Sequence, residues 1–115
     1  MNENNFGDPE MINRLNDLTY KMTQGIKLMG KYGRELANAE RDYKMELQKE
    51  VLRLRSQGEA VTLIQLCVYG SGDVPKLRFK RDEAQALYDT SKENINVLKL
   101  QIRLLEAQID REWKS

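Results

Sequence analysis

Histidine is absent from all 115 residues, and that absence removes much of enzymology. Without an imidazole there is no Ser-His-Asp or Cys-His nucleophile, and the common zinc sites go with them. Cysteine occurs once, as Cys67, so no intramolecular disulfide can close and the usage fits a reducing compartment. No base or strong cation lies near Cys67 in sequence to lower its pKa, so it reads as a small buried hydrophobe and not a nucleophile. The longest strongly apolar run, Val61 to Tyr69, is interrupted by Gln65 and reaches about half the length that spans a bilayer. The opening Met1-Asn2-Glu3-Asn4-Asn5 is polar with no basic segment, so no secretory signal is expected, and the expected location is the cytoplasm. Neither sign of charge dominates. With 19 Lys and Arg against 18 Asp and Glu, the net +1 excludes both a global pull toward nucleic acid or an anionic membrane and the acidic surface of a DNA mimic.

What remains is mostly helix-forming residues, with 32% of the whole chain charged and only two prolines and seven glycines to interrupt it. In the last third, Ala84, Tyr88, Ser91, Ile95, Leu98, Ile102, Leu105, Ile109 and Trp113 recur at steps of three and four, the spacing of one face of a coiled-coil helix. Such a seam needs a partner. Upstream, Leu15, Leu18, Met22, Gly25, Met29, Tyr32, Leu36, Ala39, Tyr43, Leu47, Val51 and Leu54 repeat the pattern. Asp8 at the N-cap, Pro9 at the first helical position and Glu10 at the positive end of the dipole open the first helix, and Gly58 closes it. Asp73 and Pro75 open the last one. At 1.5 Å per residue the two helices span about 70 and about 60 Å, matched for an antiparallel hairpin.

The connector from Glu59 to Gly72 admits two readings. Val61 to Tyr69 is rich in β-branched residues and could form a strand. The spacing of Thr62 and Gln65 fits a capping box, with Val61 and Leu66 as a hydrophobic staple, and favours a short helix. The expected fold is therefore all-α: a long antiparallel helical hairpin with a short helix at the bend. Its parts are a flexible leader over 1–8 and a single domain over 9–115, with helices at 9–57, 62–69 and 74–113. Beside the C-terminal seam lies a second apolar stripe, Val97, Leu100, Leu104 and Ala107, wider than one partner helix covers. That surplus points to a homodimer of two hairpins, with Ile95, Leu98, Leu100, Ile102, Leu104, Leu105, Ile109 and Trp113 as the oligomer interface.

Three glycines within the first helix, Gly25, Gly30 and Gly33, each cost about 1 kcal/mol against alanine. A stripe of small residues, Thr19, Thr23, Gly30, Gly33 and Ala37, would offset this by letting another helix approach. The glycines fit neither a dinucleotide nor a P-loop spacing. Glu40 and Lys44 are placed for an exposed ion pair. Asp42, Glu46 and Glu50 stack at intervals of four, but the opposing helix offers no matching ligands, so a solvated charged face is expected, with no metal, no cofactor and no catalytic residue.

Between Asp17 and Glu35 the ionisable side chains other than tyrosine are Lys21, Lys27, Lys31 and Arg34, all positive, with Tyr20 and Tyr32 among them. Lys76, Arg78, Lys80 and Arg81 surround Phe79 in the first turns of the last helix, where cations oppose the dipole, so local stability is not the reason for them. These ten residues (Lys27, Lys31, Arg34, Lys76, Arg78, Lys80, Arg81, Tyr20, Tyr32 and Phe79) are the candidate partner-binding set. They suit a protein partner, a nucleic acid or an anionic nucleotide held between helices.

At Asn13-Arg14-Leu15-Asn16-Asp17-Leu18-Thr19-Tyr20-Lys21-Met22-Thr23-Gln24-Gly25-Ile26-Lys27-Leu28-Met29-Gly30-Lys31-Tyr32-Gly33 and Lys99-Leu100-Gln101-Ile102-Arg103-Leu104-Leu105-Glu106 the chain resembles small helical proteins encoded by phages and prophages of low-GC Gram-positive bacteria. The resemblance is one of texture over most of the chain and carries no functional residues across. It implies a small non-enzymatic accessory protein of the host cytoplasm that works by binding: a recombination or replication helper, or an inhibitor of a host defence factor.

Overall fold

The structure is a computed structural model and describes residues 9–114. The leader 1–8, with Asp8, and Ser115 lie outside the described residues. Pro9 occupies the first position of α1, Pro9–Ser56, where its missing N–H is no loss, and Arg53 and Arg55 face the negative end of the dipole in the last turn. The helix ends as its glycine predicts. Gly58 takes φ +80°, its N–H donates to the Arg55 carbonyl, and the Glu59 N–H donates to the Leu54 carbonyl, a Schellman closure.

The connector is helical: α2, Val61–Cys67, runs into a 3₁₀ turn over Val68–Gly70, and no strand occurs among the described residues. The expected capping box does not form. The N-cap is Ala60, with no side-chain cap bond, and Val61 and Leu66, the expected staple, are both exposed. Ile64 and Val68, four apart, are the buried pair of this segment, and Thr62 lies inside the first turn of the helix, where it cannot serve as its cap. After the turn at Ser71 and Gly72, α3 runs over Val74–Lys114, and the Asp73 carbonyl accepts from the Leu77 N–H.

The described residues form two compact units. The bend unit, residues 31–89, holds the second part of α1, α2, the 3₁₀ turn and the start of α3 around Tyr43, Ile64, Val68 and Val74, the last fully buried. The terminal unit, residues 9–30 and 90–114, pairs the start of α1 with the end of α3 around Met11, Ile95, Leu98 and Leu105.

Of the expected small-residue stripe, Gly33 meets α3: a Cβ there would lie 3.3 Å from the Tyr88 ring. Gly30, Ala37, Thr19 and Thr23 are exposed, and the two threonine hydroxyls donate back to the carbonyls of Leu15 and Thr19. Gly25, on the main seam, is buried beside Ile95.

Candidate functional site

The bend unit is fastened by a carboxylate where a seam residue would normally be apolar. Glu50 is 3% exposed, contrary to the solvated face expected for it. Arg53, one turn on, donates from Nε to both carboxylate oxygens at 3.1 and 3.2 Å and from Nη2 to Oε1 at 3.0 Å. The Ser71 hydroxyl donates to the same Oε1 at 2.6 Å and accepts from Arg53 Nη2 at 2.9 Å. The Arg53 hydrogen bonds, then that from Ser71, hold the Glu50 carboxyl below its ordinary range, outweighing the opposite push of burial. Gly72, at φ +52°, closes over this group so tightly that a Cβ would fall 2.7 Å from Glu50 Oε1. Asp42 is exposed and ion-paired with Arg41, as a solvated face requires, whereas the Glu46 side chain, paired with Lys49, is only 13% exposed, so the expectation fails there as well. No ion pair forms between Glu40 and Lys44. Glu40 instead adds to the negative potential around Arg81.

The same unit carries α2, a short helix that buries little of itself. Ile64 points inward, while Val61, Leu63 and Leu66 are exposed, Leu66 to 78%. Tyr69 is also exposed, and so is Cys67, which was expected to be buried: Ile64 and Val68 take the inward face of this segment and leave the thiol outside. Beside these exposed residues, Leu47, Val51, Ile64 and Val68 floor an open groove of about 430 Å³, with Arg55 and Gln65 as its polar lining. Sequence reasoning missed this groove, although the apolar run from Val61 to Tyr69 was its signal.

The predicted cations divide. Arg81 is taken up within the unit, its guanidinium 4.7 Å from the Tyr43 ring centroid and bonded to Asp82 at 2.8 Å. Arg78 lies 5.5 Å from the Tyr69 ring centroid. Lys76, Phe79 and Lys80 are exposed, as are Lys31 and Arg34, while Tyr32 is half-buried. In the terminal unit Tyr20 and Lys27 are exposed, and Lys21 pairs with Asp17 at 3.2 Å. The expected interface residues divide as well. Ile95, Leu98 and Leu105 are buried in the chain's own core, Ile102 and Ile109 are half-buried, and Leu100, Leu104 and Trp113 are exposed.

Among the described residues no group of three or more Cys, Asp or Glu side chains is placed to hold a metal ion, and no helix is long and apolar enough to cross a membrane. Comparisons with protein families, with curated proteins and with solved structures returned no match.

Proposed function

We propose that the protein is a non-enzymatic binding module that takes a protein partner on its bend unit, through the outer face of α2 and the groove beside it. The observation that carries this reading is α2 itself: a seven-residue helix whose Val61, Leu63 and Leu66 stand in water gains little from its own burial, and exposed apolar patches of this kind mark interaction surfaces. Arg55, Lys76 and Lys80 on the same unit suit a partner segment that is apolar at its centre and acidic at its edges. Arg78, over Tyr69, adds a cation beside the aromatic. A module of this kind fits a phage accessory protein that inhibits a host defence factor by occupying one of its surfaces.

Affinity capture from producing cells, comparing the wild type with L63S/L66S and K76E/K80E, tests the reading. One protein should be retained by the wild type and lost from both variants, with helix content by circular dichroism unchanged. Retention of the same protein by L63S/L66S would refute it. Nucleic-acid binding is the second reading, favoured by exposed Phe79 between the cations Lys76, Arg78 and Lys80. A titration of labelled DNA and RNA at two salt concentrations separates the two, since phosphate contacts give a steep salt dependence.

A further inference from the structure

The outer face of α3 in the terminal unit carries a stripe the hairpin does not cover. Val97, Leu100 and Leu104 are exposed, the last two to 53% and 62%, while the core seam of Ile95, Leu98 and Leu105 is buried against the chain itself. The stripe continues to Ala107 and is bounded by Glu93 before it and Arg111 after it. The steps from Glu93 through Val97, Leu100, Leu104 and Ala107 to Arg111 are four, three, four, three and four, so the spacing reads the same from either end. The chemistry is complementary end to end: acid at one end, base at the other, two leucines in the middle, and a larger and a smaller apolar residue between. Neither Glu93 nor Arg111 has an ion-pair partner among the described residues.

We infer that this stripe binds a second copy of the same chain, with the two α3 helices antiparallel about a two-fold axis between Leu100 and Leu104. An isologous contact requires a patch complementary to itself under that rotation. Here the rotation sets Glu93 against Arg111 of the other copy at both ends, Val97 against Ala107, and Leu100 against Leu104. The parallel alternative sets Glu93 against Glu93 and Arg111 against Arg111, which is repulsive at both ends. Beside the stripe on one flank lie Asn94, Gln101 and Gln108, all neutral. On the other, Arg103 meets its own copy near the axis, a contact its long stem relieves by turning to solvent. The paired length is about 27 Å, enough for a reversible dimer. This surface lies wholly in the terminal unit, so it stands or falls separately from the partner site at the bend.

Sedimentation equilibrium over a concentration series, read against the 13.4 kDa chain mass, is the test. The wild type should approach twice that mass, and L100S/L104S should weaken association by about a hundredfold or more while keeping its helix content. E93R alone should weaken the dimer by about threefold or more, because it sets arginine against arginine at both ends. The double swap E93R/R111E should restore wild-type association, which a merely structural role for either residue would not produce. A monomer at every concentration, leaving the stripe to a different protein, would overturn the inference. So would a dimer insensitive to L100S/L104S, or a double swap no tighter than E93R.

Discussion

Burial alone would raise the pKa of Glu50, because a low dielectric disfavours its charge. Hydrogen bonds from Arg53 and Ser71 reverse the sign and leave the carboxyl below its ordinary value of 4.5. A group whose folded pKa is depressed contributes stability that is complete above the unfolded value and lost as pH falls through the folded one. The stability of the wild type over E50Q should therefore be largest at neutral pH and shrink below about pH 4.5, which urea unfolding at a series of pH values would show. Gly72 and Gly58 both take positive φ, which costs an alanine about 1–2 kcal/mol. Only at Gly72 would the new methyl also displace the Glu50 carboxylate, whereas Gly58 faces open space. G72A should thus lower the unfolding midpoint well beyond G58A, and equal losses would show that the clasp yields freely. Part of this clasp was legible in the sequence. Tyr43, Leu47, Glu50 and Leu54 are spaced four, three and four, which puts Glu50 on the seam, with Arg53 a turn later. The i+4 row through Asp42 and Glu46 pointed instead to solvent. The other half, Ser71 and Gly72, lies about 20 positions on, and no local pattern connects it to Glu50.

At the scale of elements, the long helices were readable because their punctuation is local: Pro9, Gly58 and Asp73 stand at the boundaries, and the three-four spacing fills the space between. The start of α2 was not, because Thr62 and Gln65 offer a cap, whereas the helix begins at Val61 with Ala60 as its N-cap and no side-chain cap bond. Its two faces should separate in mutagenesis. I64A removes a buried side chain and should cost about 2–5 kcal/mol. L63S/L66S alters exposed positions and should stay within about 0.5 kcal/mol per residue of the wild type in thermal unfolding. A large loss in the double variant would mean that the outer face is packed in the free protein. In α1, Gly25 has ordinary room for a methyl, 3.5 Å from Ile95 Cγ1. G25A should therefore raise stability by about 1 kcal/mol through helix propensity, measured as a shift in urea midpoint at constant m-value.

At the scale of the whole chain, the two units differ in the length of loop each must close. The bend unit is continuous in sequence, and its Glu50 to Ser71 hydrogen bond joins positions 21 apart. The terminal unit is built from the two ends of the described chain, and Gly25 meets Ile95 across 70 positions. Closing the longer loop from the unfolded state costs about 1 kcal/mol more, a cost that falls away once the bend has formed. Folding should therefore begin at the bend. V74A removes part of a fully buried side chain in the bend unit, L105A one in the terminal core, and both should destabilise enough to be read kinetically. V74A should slow folding with a φ-value well above that of L105A, whose cost should fall mainly on the unfolding rate. Residues 31–89, produced alone, should likewise keep a helical spectrum with a cooperative melt, while peptides 9–30 and 90–114 remain uncoiled when mixed at equal concentration. A higher φ-value at Leu105, or a featureless spectrum from 31–89, would place the nucleus at the chain ends and reverse the order argued from loop length.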